Sequence, residues 1–233
     1  MFKLQDIDRA FLFEDFTGAT ASGCIDTGSA DGQTLVTKSV SSTNTNTIAL
    51  EADQSGGVYG FELEATDEAK SVALYANDEL HFHATEDPVF QFRVQLSDDI
   101  TTNEELVIGC ASAYNATPDT VANNAWIKLA ASMAIVLESD DTSTNSDDKA
   151  SGVTMVKDTW YEFRVDCTAP TDVKFYYRTT SGGAWTELTD GATTFTVGAA
   201  ATLQPYIMLK KASGTTTPKL LVDYVAAWQN RAA

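Results

Sequence analysis

Cysteine and histidine are scarce in this 233-residue chain, which has three cysteines and two histidines. Cys24, Cys110 and Cys167 are widely separated in the sequence and form no Cys-x-x-Cys pair. An odd and sparse set of this kind argues against the disulfide framework of a secreted protein. We therefore expect reduced thiols that pack as small hydrophobic side chains.

Positive charge is also scarce. Fifteen Lys and Arg residues stand against 33 Asp and Glu residues, which gives a formal net charge of −18 at pH 7. No cluster of basic residues offsets this balance locally. An acidic surface repels phosphate backbones, so the sequence predicts that nucleic acid is not a partner.

Long apolar runs are absent as well. A membrane helix needs about 20 consecutive apolar residues, and no segment approaches that length. The first residues, MFKLQDIDRAFLFEDF, interrupt their apolar positions with charges and lack the apolar centre of a signal peptide. We expect no membrane partner, and we expect the chain to be made in a cytoplasm without an export signal.

Short alternating segments separated by turn-rich segments are what the sequence does contain. PVFQFRVQL (88–96) places apolar residues on every second position, and ESDDTSTNSDDKASG (138–152) is typical of a loop. About a dozen such strands without a long helix predict an all-β sandwich or barrel. We predict a single sandwich domain over residues 13–233, preceded by an extended N-terminal arm, residues 1–12, with Phe2, Leu4, Ile7 and Phe11.

Two segments resemble the concanavalin A-like jelly rolls. LLVDYVAAWQNR (220–231) is similar to their closing strand, in which Asp-Tyr-Val is followed by an aromatic residue and Gln. The block from TWYEFRVDC to AWTEL (159–188) resembles their central hairpin, and FEDF (13–16) resembles their opening. The resemblance implies a two-sheet antiparallel jelly-roll sandwich. It indicates a fold rather than a function, because this fold is used for many purposes.

Within that group the chain looks most like structural proteins of tailed bacteriophages. The resemblance lies in the unprocessed start, the loops rich in Ala, Thr and Ser, and the acidic surface. It implies a virion structural protein that decorates a capsid or forms part of a tail or fibre. Its partners would be capsid or tail proteins and further copies of the chain. The alternative is a lectin-like carbohydrate-binding module that recognises a polysaccharide.

Catalytic carboxylates are the first candidates for chemistry. Jelly-roll β-glucanases that retain configuration carry E-x-D-x-x-E on one strand, with two carboxyl groups about 5 Å apart. The nearest string here is FELEATDE, with Glu62, Glu64, Asp67 and Glu68. Glu62 and Glu64 share a face, but Asp67 is out of phase with the spacing of that family. The motifs of jelly-roll alginate lyases are also missing. The sequence therefore predicts no catalytic residue, no cofactor and no enzymatic activity.

Metal ligands have two candidate positions. His81 and His83 share one face of a strand, and Glu79, Glu86 or Asp87 could complete a site. The acidic loop could supply oxygen ligands for calcium from its Asp and Asn side chains, although its spacing does not match an EF-hand. Exposed, unused side chains explain both patterns too, and we assign no metal ligand. The loop side chains in question are Asp140, Asp141, Asn145, Asp147 and Asp148.

Aromatic side chains are the remaining candidates, because sugar rings stack on exposed aromatic faces. We interpret Trp126, Trp160 and Trp228 as core or sheet-edge residues, since Trp160 opens a strand and Trp228 closes one. Trp185 and Tyr114 lie beside loops and could be exposed.

Overall fold

The computed structural model describes residues 9–16, 25–26, 35–41, 46–52, 57–79, 82–129 and 131–230. No α-helix occurs in these ranges, and 3-10 turns cover Ala84–Glu86, Pro118–Thr120 and Ala131–Met133. The strands are β1 (Arg9–Glu14), β2 (Ile25–Asp26), β3 (Leu35–Val40), β4 (Thr47–Leu50), β5 (Tyr59–Glu62), β6 (Lys70–Tyr75), β7 (Phe82–His83), β8 (Val89–Leu96), β9 (Glu104–Ala111), β10 (Asn123–Leu129), β11 (Ala134–Asp141), β12 (Asn145–Thr154), β13 (Tyr161–Asp166), β14 (Lys174–Arg178), β15 (Thr186–Leu188), β16 (Thr202–Lys211) and β17 (Lys219–Asn230).

These strands form two sheets, which confirms the predicted all-β jelly-roll sandwich. Sheet 1 has the order β15-β14-β13-β8-β17-β5-β4, with β1 also paired to β17. Sheet 2 has the order β12-β11-β10-β9-β16-β6-β3-β2, with β7 beside β16. The pairings are antiparallel except for the two-residue contact of β2 with β3.

The core lies between the sheets and follows from the alternation in the sequence. On β8, the four apolar side chains Phe90, Phe92, Val94 and Leu96 are fully buried, as predicted, while the residues between them face outward. Burying each such side chain stabilises the fold by about 1.5–3 kcal/mol. Cys110 on β9 and Cys167, which follows β13, make one contact between the sheets. Their sulfur atoms lie 3.8 Å apart.

A second apolar cluster lies on the outer face of sheet 2. Segment 112–122 crosses this face and packs Tyr114 against Tyr75, with ring centroids 5.0 Å apart. Trp126 lies beneath it, fully buried, with its ring 5.1 Å from that of Tyr206. The Tyr206 hydroxyl donates to the carbonyl oxygen of Asn115 at 3.0 Å. The middle strands of sheet 2 are therefore buried on both faces, as predicted for β9.

The first strand bears on the predicted domain boundary. β1 runs from Arg9 to Glu14 and pairs along its length with β17. The predicted boundary between the arm, 1–12, and the sandwich, 13–233, thus falls inside a strand of sheet 1. Residues 1–8, with Phe2, Leu4 and Ile7, lie outside the described residues, so the arm stays a prediction.

Candidate functional site

The outer face of sheet 1 carries an unusual set of side chains. Several residues that point away from the core on β8, β14 and β17 and next to them are aromatic or arginine, and Gln91, Glu162 and Asp223 lie among them. We call this surface the tryptophan–arginine face. Its members are Phe13, Gln91, Arg93, Trp160, Glu162, Arg164, Tyr176, Arg178, Trp185, Asp223, Tyr224 and Trp228.

Strand register brings these side chains together. Glu162 on β13 lies opposite Arg178 on β14 and Arg93 on β8. One pair further along β13, Arg164 lies opposite Tyr176 and Gln91. Because directly opposed side chains on one face are about 5 Å apart, two continuous rows cross the sheet.

Guanidinium groups lie over each of the three tryptophan rings. The Cζ atoms of Arg164 and Arg178 are 4.2 and 4.3 Å from the centroid of Trp185. Arg164 is also 5.6 Å from Trp228. Contacts of this kind contribute about 0.5–2 kcal/mol each. They hold the half-buried tryptophans in fixed positions relative to the sheet. The third contact is Arg93 over Trp160, at 4.6 Å.

A hydrogen-bond network centred on Glu162 connects three strands. Its Oε2 accepts from the Nε of Arg178 at 2.9 Å and from the hydroxyl of Tyr224 at 3.0 Å. Burial raises the pKa of Tyr224 to about 12, to which the charge of Glu162 contributes, so the hydroxyl stays protonated and donates. Arg93 pairs with Asp223 at the adjacent position. These contacts fix the positions of the side chains on this face.

Removing one hydroxyl should test this network. We expect Tyr224→Phe to lower the free energy of unfolding by about 1–2 kcal/mol, because buried Glu162 loses a donor and Gln91 an acceptor. Tyr176→Phe is the matched control, since the Tyr176 hydroxyl has no side-chain or backbone hydrogen bond among the described residues and its loss should cost under about 0.5 kcal/mol. Urea unfolding measures both. Equal effects would contradict the network.

The structure corrects the sequence-based view of two tryptophans. Trp126 is a core residue, as predicted. Trp160 and Trp228 are instead half-buried on the outer face of sheet 1. Trp185 is half-buried beside two arginines. Tyr114 belongs to segment 112–122 and packs against Tyr75 on sheet 2. The aromatic surface thus involves three tryptophans, of which the sequence singled out one.

The histidine site is not brought together within the described residues. His83 is exposed, and its backbone N–H donates to Gln229 Oε1 at 2.7 Å. Asp87 accepts from Asn230 at 2.7 Å. His81 lies outside the described residues, so the candidate site with both histidines is untested. In the ranges given above, no group of three or more His, Cys, Asp or Glu is arranged to hold a metal ion.

The acidic loop is largely a strand, contrary to the prediction. Residues 145–154 form β12, which pairs with β11. Asp140 and Asp141 accept backbone N–H bonds of residues 142–144 and thereby close the turn. Asp148 forms an ion pair with Lys128 at 3.0 Å. These carboxylates stabilise the hairpin.

The four FELEATDE carboxylates contact three different partners. Glu64 and Glu68 both pair with buried Lys70, at 3.0 and 2.9 Å. Asp67 accepts from the backbone N–H of Gly214 at 2.6 Å, and Glu62 lies 3.9 Å from Lys219. Glu64 and Glu68 therefore meet at one lysine, whereas Glu62 and Asp67 contact other groups.

A buried ion pair on sheet 2 was not foreseen from the sequence. Lys128 Nζ lies 2.8 Å from Glu138 Oε2, and the two residues are only 5% and 1% exposed. Asp119 of segment 112–122 and Asp148 of β12 also contact this lysine, at 3.3 and 3.0 Å. Lys128 thus connects segment 112–122 to sheet 2 through Asp119.

Solved structures with the same arrangement of strands provide the comparison. A protein of unknown function from Shewanella oneidensis MR-1 matches with a TM-score of 0.65 and 14% identity, over 97% of this chain and 90% of that one. A Bacteroides ovatus GH16 protein in complex with the G4G4G3G product matches with a TM-score of 0.58 and 7% identity, over 92% and 98%. The exoplasmic/lumenal domain of VIP36 in its Ca2+- and mannose-bound form gives 0.53 and 9%, over 96% and 91%.

The chain has the lectin and glucanase jelly-roll fold. At these identities the likeness establishes the fold alone. No protein-family model matches the sequence, and no curated protein matches it. In the described ranges, no helix is both long enough and apolar enough to span a membrane.

The prediction that the chain is not an enzyme is wrong as an exclusion. It rested on missing sequence motifs, yet the fold is shared over nearly the whole chain with a glycoside hydrolase at only 7% identity. At that distance, motifs do not decide whether a jelly roll cleaves carbohydrate.

Proposed function

We propose that this chain binds glycans and that the tryptophan–arginine face is the binding surface. One observation carries the proposal: Trp160, Trp185 and Trp228 lie half-buried on one sheet face, each beside an arginine. Tryptophan rings provide apolar surface for the faces of sugar rings, and guanidinium groups provide donors for their oxygens. The solved structures with this fold include a mannose-bound domain and a glucan-product complex, which supports the choice of ligand class.

Rigidity favours this surface as a binding site. The tryptophans are restrained by arginines that are themselves hydrogen-bonded, so little side-chain entropy is lost when a ligand binds. The face also continues to the edge of the sheet, where Phe13 is 51% exposed and lies 5.8 Å from Tyr224. An exposed aromatic at that edge extends the apolar surface.

The test is binding to a panel of immobilised polysaccharides. We expect Trp185→Ala and Trp228→Ala each to weaken binding about tenfold or more, as hot-spot truncations do. Val40→Ala is the control, because Val40 is an exposed apolar residue, 42% accessible, on sheet 2. Equal binding by all variants would contradict the assignment of the face. A reducing-end assay on each bound polymer shows whether it is also cleaved.

A virion structural role is the second candidate function. Tryptophan, tyrosine and arginine are also the residues that dominate protein–protein interfaces, and exposed Phe13 adds to that surface. The face would then contact capsid or tail proteins, or further copies of the chain, in a particle. Quantitative mass spectrometry of purified particles tests this role. Shell-like copy numbers would support decoration, a few copies a tail or fibre position, and absence would remove the candidate.

A further inference from the structure

We infer that the glycan is acidic and that Arg164 receives its carboxylate or sulfate group. This inference rests on the proposed function and specifies the class of ligand. It starts from the unequal pairing of the three arginines on the tryptophan–arginine face. Arg178 is paired with Glu162, and Arg93 with Asp223. Arg164 forms no ion pair within the described residues.

The polar contacts of Arg164 are also incomplete. One of its terminal nitrogens donates to Gln91 Oε1 at 3.0 Å, and its buried Nε has no hydrogen-bond partner within the described ranges. A buried donor without an acceptor costs about 1–3 kcal/mol. Since this Nε is enclosed, a ligand would accept from the terminal nitrogens of the guanidinium, of which one has a hydrogen-bond partner among the described residues.

Arg164 is partly buried but stays charged. Burial lowers its pKa, the nearby charge of Asp166 is the strongest effect in the opposite direction, and the charge of Arg178 adds to the lowering. Arginine nevertheless keeps its proton in proteins. A charged guanidinium that forms no ion pair among the described residues therefore lies beside two tryptophan rings, 4.2 and 5.6 Å away.

Geometry favours an oxyanion on a sugar. A guanidinium can bind a carboxylate or sulfate through two parallel hydrogen bonds. The flanking rings of Trp185 and Trp228 would contact the sugar that carries it. The whole chain has a net charge of −18, and three of the five arginines in the sequence lie on this face, which lowers the repulsion of a polyanion there.

The experiment compares polymers that differ only in charge. Polygalacturonate is paired with its full methyl ester, and a sulfated galactan with its desulfated form. We expect the wild-type chain to bind at least one acidic polymer about 10- to 100-fold more tightly than its neutral counterpart, and Arg164→Gln to lose that preference. A preference within the polygalacturonate pair would identify the group bound by Arg164 as a carboxylate, and a preference within the galactan pair would identify it as a sulfate.

Two variants control for charge and for folding. Lys174→Gln removes an equal charge from the outer face of the same sheet, where Lys174 pairs with Asp172, and should leave the preference unchanged. Arg164→Lys keeps the charge and should retain part of the preference. It replaces Arg164→Gln as the test if that variant does not fold. Equal binding of acidic and neutral polymers, or an equal effect of Lys174→Gln, would overturn this inference but not glycan binding. Binding to no polymer would overturn both.

Discussion

Lys128→Met should lower the free energy of unfolding by about 3–5 kcal/mol at pH 8, because it leaves the Glu138 carboxylate buried without its cation. Burial already raises the pKa of Glu138 to about 7, although Lys128 opposes this shift. Without Lys128 the pKa rises further. Urea unfolding at several pH values measures the effect.

The sign of the pH dependence follows from the raised pKa. Between the ordinary pKa of 4.5 and about 7, the folded chain holds a proton on Glu138 that the unfolded chain has released. The contribution of Glu138 to stability is therefore full below the ordinary pKa and is lost as the pH rises towards 7. In Lys128→Met this loss continues to higher pH, so the deficit of the variant should be about 1 kcal/mol smaller at pH 5 than at pH 8.

Two further variants isolate the buried charge. When Lys128→Met is combined with Glu138→Gln and compared with Glu138→Gln alone, the deficit should not depend on pH. Lys174→Met breaks an exposed ion pair and should cost at most about 1 kcal/mol. A deficit in Lys128→Met that does not change between pH 5 and pH 8 would contradict the account of Glu138.

Trp126→Ala should also cost about 3–5 kcal/mol, although its side chain lies on an outer sheet face. The residue is fully buried between the sheet and segment 112–122, against Tyr206. Its removal leaves a cavity beneath the segment and weakens the packing of Tyr114. We expect limited proteolysis to cut segment 112–122 faster in this variant.

Trp160→Ala is the matched control for this prediction. It removes a ring of the same size from the outer face of sheet 1, where the residue is half-buried beside Arg93. The expected cost is about 1 kcal/mol, from one cation–π contact and a partial loss of buried area. If both variants lost the same stability, the outer face of sheet 2 would not be a second core.

The fold could be predicted because its signals are local. The apolar alternation of Phe90, Phe92, Val94 and Leu96 requires a strand with one buried face, whatever its neighbours are. β12 was missed for the opposite reason. Its sequence, NSDDKASGVT, has almost no apolar residues, and it pairs with only one strand, at the end of sheet 2. An edge strand with exposed side chains carries no hydrophobic pattern.

The candidate site could not be predicted because it depends on register. A bulge in β17 between Val222 and Tyr224 shifts the alternation, which places Trp228 on the outer face. The contacts of Trp185 with Arg164 and Arg178 join residues of neighbouring strands. Lys128 and Glu138 likewise meet only because β10 and β11 pair in one register. The sequence contains these residues but not their alignment.

Nuclear magnetic resonance of the indole N–H groups tests glycan binding at this face most directly. The chain has four tryptophans, and Trp126 is an internal control because it is buried on the opposite sheet. Titration with oligosaccharides cut from the polymers that bind should shift the signals of Trp160, Trp185 and Trp228 and leave that of Trp126 in place. A shift confined to Trp126, or no shift at ligand concentrations that saturate the polymer assay, would contradict the assignment of the tryptophan–arginine face.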